Sequence, residues 1–123
     1  MDTPTPQELI VERDLWVPAR DGVRLATDVY RPSSGWPFPV LLERTPYDKS
    51  APSRSERTAA VAAPRSRAEV ADYFVQHRYA VVYQDCRGRY RSEGRFTKYL
   101  SEAEDGNDTL AWLMRQLSND IRN

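Results

Sequence analysis

Two segments near the N-terminus alternate between apolar and polar residues, the pattern of strands with one buried face. They are residues 10–17 and 23–30, and between them Asp21-Gly22 supplies a turn in which glycine takes a positive φ at low cost. The apolar positions assigned to the buried face are Val11, Leu15, Val17, Val23, Leu25 and Val29. The pattern predicts an antiparallel hairpin with this face buried and with Arg24 and Asp28 on the other face.

Two later runs, within residues 39–44 and 79–84, are continuously apolar and typical of strands buried on both faces. Between them, Ser66 and Glu69 form a capping box that begins a helix over 66–77. Its apolar stripe is Val70, Ala71, Phe74 and Val75. We therefore predict a right-handed strand–helix–strand unit with parallel strands, in a sheet of order 1-2-4-3 with the hairpin at one edge.

A second capping box, Ser101-Glu102-Ala103-Glu104, predicts a further helix over 101–117. Its apolar stripe is Ala103, Gly106, Leu110, Leu113, Met114 and Leu117. Gly106 costs about 1 kcal/mol relative to alanine in a helix interior, which predicts close packing against a neighbour. Trp112 faces away from this stripe, so we expect a further layer to cover the helix there; a solvent-facing tryptophan is the alternative. The next element expected along the chain is a strand that carries a nucleophile.

The amino-acid composition limits the classes of molecule that the chain is expected to bind. The 123 residues are 40% hydrophobic and 29% charged, with 18 basic and 18 acidic residues. This balance argues against nucleic-acid and anionic-membrane binding. Local basic residues (Arg87, Arg89, Arg91 and Arg95) are interleaved with acidic ones, so we expect them to be paired or solvated.

Other features bear on cofactors and location. No apolar run approaches the roughly 20 residues of a membrane span, and residues 1–6 lack the apolar region of a signal peptide, so we expect a cytoplasmic protein. The single cysteine excludes an internal disulfide and a thiolate metal cluster. No P-loop is present and no G-x-G-x-x-G follows a strand, so we expect neither a metal nor another cofactor.

Polar loops follow both buried strands, at the edge where ligands bind in parallel sheets. In the first, Tyr47 can donate a hydrogen bond to charge that develops on a carbonyl oxygen, or it can pack its ring on the sheet edge. In the second, an ion pair between Asp85 and Arg87, with a tight bend at Gly88, would brace the loop; a catalytic role is the alternative.

The sequence offers little support for a catalytic nucleophile paired with a general base. Cys86 would need a nearby base, whereas the single histidine, His77, ends a helix at the other end of the sheet. No serine lies in the G-x-S-x-G turn of α/β-hydrolases; Arg91-Ser92-Glu93-Gly94 lacks the first glycine.

Several motifs, in this order and spacing, resemble the X-prolyl dipeptidyl-peptidase and cocaine-esterase-like (CocE/NonD) hydrolases. They are Pro18-Ala19-Arg20-Asp21-Gly22-Val23-Arg24-Leu25-Ala26-Thr27-Asp28-Val29-Tyr30-Arg31-Pro32, Pro39-Val40-Leu41-Leu42, Thr45-Pro46-Tyr47-Asp48-Lys49, Tyr79-Ala80-Val81-Val82-x-Gln84-Asp85-x-Arg87-Gly88, Ser92-Glu93-Gly94 and Glu104-Asp105-Gly106-x-Asp108-Thr109-Leu110-x-Trp112. The resemblance covers nearly the whole chain from about residue 10.

The resemblance implies an α/β-hydrolase catalytic domain with a helical cap and a C-terminal jelly-roll domain, and serine-dependent hydrolysis of esters or of amides after proline. It makes Tyr47 the oxyanion-hole donor and places the nucleophile, acid and base downstream of residue 123. Residues 117–123 depart from the family pattern, which leaves truncation, a frameshift or a partial gene model as explanations.

The interpretation that follows is an α/β fold. Residues 1–9 form a flexible N-terminus, and residues 10–123 form the N-terminal part of a hydrolase catalytic domain, inactive alone. The partner of the whole protein would be a small-molecule ester or a peptide. The alternative is a free-standing α/β module that binds or associates without catalysis.

Overall fold

The computed structural model describes residues 7–51, 66–96 and 102–121. Its elements are β1 (Leu9–Pro18), β2 (Arg24–Pro32), β3 (Val40–Thr45), α1 (Arg67–Gln76), β4 (Ala80–Asp85) and α2 (Glu102–Asp120). Ser101 of the second capping box and most of the expected flexible N-terminus lie outside the described residues. No helix in the described ranges is both long enough and apolar enough to cross a membrane.

The four strands form one sheet in the order β1-β2-β4-β3, as predicted. β1 and β2 are antiparallel, β2 and β4 are antiparallel, and β3 and β4 are parallel, with Val40 opposite Ala80 and Thr45 opposite Asp85. Because the two parallel strands end in register, the loops that follow them leave the same edge of the sheet side by side.

Helix α1 begins as its capping box predicts. The Ser66 hydroxyl accepts a hydrogen bond from the Glu69 backbone N–H at 3.1 Å and donates one to the Glu69 carboxylate at 3.1 Å. Ala71 and Val75 are fully buried on the predicted stripe. They pack against Tyr30 and Tyr83 of the sheet, so α1 covers one face.

The prediction that the hairpin is buried on one face only is wrong for β2. This strand lies inside the sheet between β1 and β4, and it is covered on both sides. Val29 packs in the cluster with Leu113 of α2, whereas Tyr30 packs in the cluster with α1. Asp28, predicted on a polar face, is only 1% exposed, so its carboxylate requires partners inside the protein.

The predicted face of β1 is also wrong at Val11. The pairing register shifts between Glu12 and Leu15, where β1 carries one residue more than β2 and Asp14 has a φ of 54°. This β-bulge puts Val11 on the opposite face from Leu15 and Val17, because one extra residue reverses the alternation. Val11 is accordingly partly exposed.

Helix α2 covers the second face of the sheet with a stripe that shares only Leu113 and Leu117 with the predicted one. Its buried residues are Asp105, Thr109, Leu113 and Leu117. The predicted stripe residues Leu110 and Met114 are exposed. The helix is rotated because the polar side chains on the buried stripe find hydrogen-bond partners on the sheet: Thr109 Oγ1 accepts from the side-chain amide of Gln84 at 2.8 Å.

Two further expectations for α2 are corrected. Trp112, expected to need a separate covering layer, packs against the core clusters around Leu113 and Leu25. Gly106, expected to pack closely, has only the Arg44 side chain near the position of a Cβ, at an ordinary 3.8 Å. The glycine is therefore not required there by a close contact among the described residues.

Candidate active site

The loops after β3 and β4 enclose a cavity of about 340 Å³ with the start of α2. We call residues 46–49 the first loop and residues 86–96 the second loop. Their first residues are joined by a hydrogen bond from the Cys86 backbone N–H to the Thr45 carbonyl oxygen at 3.0 Å. The cavity is lined by Arg44, Pro46, Tyr47, Cys86, Arg89, Phe96 and Glu102. It therefore lies at the strand ends where ligands bind in sheets of this kind.

Tyr47 lies on the wall of this cavity and is 63% exposed. Its backbone N–H donates to Thr45 Oγ1 at 3.0 Å, which ties the residue to the end of β3. A phenol is an uncharged donor at neutral pH, and an exposed one can reach a bound molecule. Tyr47 is therefore one of the residues that a molecule in the cavity would contact.

Lys49 anchors the far end of the first loop and is 3% exposed. Its Nζ lies 2.6 Å from an oxygen of Asp14 on β1 and 3.0 Å from one of Asp28 on β2. The side chain therefore reaches past β4 to the two strands beyond it. Burial alone lowers the pKa of Lys49, but its hydrogen bonds to the two aspartates outweigh burial and leave that pKa raised.

Asp85 holds both loops at once. One carboxylate oxygen accepts from the Lys49 backbone N–H at 2.7 Å, and the other accepts from the Arg91 backbone N–H at 3.3 Å. Burial raises the pKa of Asp85, while these two N–H groups oppose the rise. Asp14 also contacts both loops, but through their side chains: it binds Lys49 Nζ of the first loop and Arg91 Nη1 of the second, both at 2.6 Å.

The predicted ion pair between Asp85 and Arg87 is not formed. Arg87 instead binds Asp105 of α2 and Asp21 of the hairpin turn, both at 2.8 Å. These carboxylates raise the pKa of Arg87. The Asp85 carboxylate instead accepts hydrogen bonds from backbone N–H groups of the two loops. Asp85 and Arg87, although close in sequence, therefore bind different parts of the structure.

Gly88 permits the bend of the second loop. Its φ is 71°, and a Cβ at this position would overlap the backbone of Phe96. Its N–H donates to the Glu93 carbonyl at 2.8 Å and closes the loop on itself. A left-handed conformation combined with a close backbone approach favours glycine.

Arg44 is a buried cation in the cavity wall. Its Nε donates to Gln84 Oε1 at 2.6 Å and its Nη1 to Glu102 Oε2 at 2.8 Å. Its Nη2 lies 3.8 Å from Asp105 and is buried without a hydrogen-bond partner among the described residues. Arg44 thus connects β3, β4 and the start of α2 below the cavity.

Cys86 and His77 occupy positions unsuited to a nucleophile–base pair. Cys86 is 3% exposed, and burial raises its pKa to about 11. His77 is the C-cap of α1, with Nδ1 2.9 Å from the Tyr73 carbonyl oxygen. Its position just before β4 puts it at the opposite end of the sheet from the loops.

Cys86 should react slowly with thiol reagents in the folded chain. Nucleophilic attack requires the thiolate, and raising the pKa from 9.0 to about 11 lowers the thiolate fraction near neutral pH about a hundredfold. The reaction with 5,5′-dithiobis(2-nitrobenzoate), followed at about pH 8, should therefore be at least about a hundredfold slower before than after unfolding in guanidinium chloride. Equal rates would show that the thiol is accessible and ionised in the folded chain.

The sequence reasoning did not single out Lys49, Asp14 or Arg91 for a shared role at the site. A signal for the bulge was present, since Glu12-Arg13-Asp14 places three polar residues in succession inside an alternating strand. The expectation that the local basic residues are paired is met at Arg87 and Arg91, while Arg89 stacks over the Phe96 ring at 4.1 Å. In the described part of the chain, no group of His, Cys, Asp and Glu side chains could hold a metal ion.

This four-stranded mixed sheet with helices on both faces matches the N-terminal part of α/β-hydrolase structures. An α-amino acid ester hydrolase superposes with a TM-score of 0.67 and 31% identity, over 96% of this chain and 20% of that one. A CocE/NonD family hydrolase from Staphylococcus aureus superposes with a TM-score of 0.69 and 28% identity, over 86% of this chain and 20% of that one.

The family model for X-Pro dipeptidyl-peptidase (S15 family) matches residues 21–121, and the chain belongs to this family. It is also 43% identical over 106 residues to the cocaine esterase of Rhodococcus sp. (strain MB1 Bresler), a match that covers 86% of this chain. The chain spans 17% of the length of that relative. The resemblance expected from the motifs is thereby confirmed.

Proposed function

We propose that this chain forms the N-terminal part of the catalytic domain of a serine hydrolase that cleaves ester bonds or X-Pro peptide (amide) bonds. The observation that carries the proposal is Tyr47 on the wall of a cavity at the ends of two parallel strands, in a chain of the S15 family. The relatives named for their substrates, a cocaine esterase and an α-amino acid ester hydrolase, support an acyl-transfer reaction.

In such a reaction a serine oxygen attacks the substrate carbonyl carbon, and negative charge develops on the carbonyl oxygen. The part we assign to this chain is one hydrogen bond from the Tyr47 hydroxyl to that oxygen. The bond strengthens as the oxygen becomes charged, so it stabilises the transition state more than the bound substrate. A backbone N–H after the serine, outside this chain, would supply a second donor.

We assign the bracing of the site to Asp85, Arg87 and Gly88. Asp85 binds one backbone N–H from each loop, Arg87 ties the second loop to Asp21 and Asp105, and Gly88 permits its bend. None of these contacts requires a ligand, so the loops are held in place before substrate binds. Preorganisation of this kind lowers the reorganisation needed during the reaction.

The test compares two polypeptides. One is the 123-residue chain; the other, here called the complete hydrolase, carries this chain followed by a G-x-S-x-G segment and the rest of a catalytic domain. A hybrid in which the chain replaces the matching 106 residues of the cocaine esterase supplies such a protein. With a p-nitrophenyl acyl ester, the complete hydrolase should turn over with saturation, and a serine-directed fluorophosphonate should block it.

The 123-residue chain alone should give no saturable turnover above a denatured-protein control, because it contains no G-x-S-x-G nucleophile. Fluorophosphonate-sensitive turnover by the chain alone would contradict the assignment of the nucleophile to another segment. A correctly folded complete hydrolase without any turnover would instead favour a binding or association module.

A further inference from the structure

We propose that Lys49 is a positioning residue for Tyr47: it fixes the far end of the first loop so that the Tyr47 hydroxyl faces the substrate oxygen. The proposal rests on the proposed function, since it assigns Lys49 a role in the same reaction. Lys49 itself is not a catalytic residue, because its Nζ is occupied by Asp14 and Asp28 and the side chain is almost fully buried.

The first loop has two fixed ends, with Tyr47 between them. Thr45 is held by its pairing with Asp85 in the sheet and by the hydrogen bond from the Cys86 backbone N–H. Lys49 is held by its backbone N–H on Asp85 and by its Nζ on the hairpin. Tyr47 is two residues from each end, and between it and Lys49 the Asp48 carbonyl oxygen accepts from Arg67 of α1 at 3.0 Å. Losing the Lys49 side-chain contacts should therefore loosen the position of Tyr47 without unfolding the loop.

The backbone between Tyr47 and Lys49 is in a conformation that a non-glycine residue rarely adopts. Asp48 has a φ of 77°, in the left-handed region. Such conformations persist where the surrounding contacts determine them. The Asp48 side chain accepts from the Ser50 backbone N–H at 2.9 Å, and its carbonyl oxygen accepts from Arg67 at 3.0 Å. Lys49 provides a second buried attachment, at the next residue.

The charges around Lys49 explain why a cation is needed here. Asp28 is 1% exposed; apart from Lys49 Nζ, its neighbours are the Asp14 backbone N–H at 2.8 Å and the guanidinium of Arg13 at 3.8 Å. Asp14 additionally binds Arg91 of the second loop. An uncharged side chain at position 49 would leave Asp28 without its closest cation and release the loop from the hairpin.

The experiment measures kcat and KM in the complete hydrolase for Lys49→Met, Tyr47→Phe and the double variant. If Lys49 acts through the Tyr47 hydroxyl, Lys49→Met should lower kcat about 10- to 100-fold and change KM by less than about threefold. In the Tyr47→Phe background the same change should alter kcat by less than about twofold, because the hydroxyl that it positions is already absent.

A matched control tests whether any buried cation of the sheet behaves in this way. Arg31 is 11% exposed at its side chain, pairs with Glu12 at 3.1 Å, and lies towards the end of β2 away from the loops. Arg31→Met should leave kcat within about twofold of the parent in both backgrounds. If Lys49→Met does not fold, Asp14→Asn is the second variant, because it weakens the same ion pair at its more exposed member. Its loss of kcat should be smaller and should likewise require the Tyr47 hydroxyl.

The outcomes separate this proposal from the proposed function. An equal loss of kcat from Lys49→Met, or from Asp14→Asn, with and without the Tyr47 hydroxyl would overturn the positioning role and make the anchor purely structural. A Tyr47→Phe variant with unchanged kcat would overturn the oxyanion assignment itself, and the positioning role with it. A loss of kcat from Lys49→Met that occurs only when the Tyr47 hydroxyl is present supports both the oxyanion assignment and the positioning role.

Discussion

In the complete hydrolase, Tyr47→Phe is expected to lower kcat by about 10²–10³ while the protein remains folded. The substitution removes one hydroxyl and keeps the ring. Because Tyr47 is 63% exposed on the cavity wall, loss of its hydroxyl should cost little folding free energy. The measurement is kcat with a p-nitrophenyl ester, together with the melting temperature of the same preparation.

Tyr73→Phe is the matched control for this substitution. Tyr73 is a similarly exposed tyrosine (58%) on α1, outside the residues that line the cavity. Removing its hydroxyl should leave kcat unchanged. A Tyr47→Phe enzyme with parental kcat would show that the ring only packs on the loop, and a parallel fall in kcat and melting temperature would point to a structural role.

Arg87→Leu should lower stability strongly, by about 3 kcal/mol in the free energy of unfolding. The substitution leaves the Asp105 carboxylate, 2% exposed at its side chain, without its 2.8 Å partner. Arg44 remains near Asp105, with its Nη2 3.8 Å away. This places the expected loss at the lower end for a broken buried pair. Urea unfolding of the 123-residue chain, followed by tryptophan fluorescence, measures the difference.

Arg20→Leu provides the comparison, because Arg20 pairs with Asp108 of the same helix at 3.0 Å. The Arg20 side chain is 56% exposed, so this ion pair contributes little to the free energy of unfolding, and water solvates Asp108 when Arg20 is replaced. Its unfolding midpoint should stay close to that of the parent. Equal shifts for the two variants would show that the burial of Asp105 does not determine the cost.

The strands themselves, and the parallel direction of β3 and β4, could be predicted from local patterns. Alternation marked β1 and β2, continuous apolar runs marked β3 and β4, and the capping box at Ser66 placed α1 between the two parallel strands. These features follow from neighbouring residues in the chain. They also placed the two loops at one edge of the sheet, which made Tyr47 a candidate donor; its assignment to the oxyanion hole came from the family resemblance.

The partners of the buried polar side chains could not be predicted in the same way. Thr109 and Asp105 lie on the buried stripe of α2 because Gln84 and Arg87 meet them there, and that contact outweighs the apolar preference of Leu110 and Met114. The bulge at Asp14 similarly depends on the pairing of two strands. In both cases residues distant in sequence decide which face of an element is buried.

The double attachment of the loops has a consequence for recombining this gene segment with its relatives. Asp14 and Asp85 share Lys49 and Arg91 as partners: Asp14 binds the side chains of these two residues, and Asp85 binds their backbone N–H groups. A crossover between Lys49 and Asp85 would take Asp14 and Arg91 from different parents, and it would likewise separate Lys49 from Asp85. Chimeric libraries of these hydrolases should therefore place their crossovers before Asp14 or after Arg91, so that the four residues are inherited together.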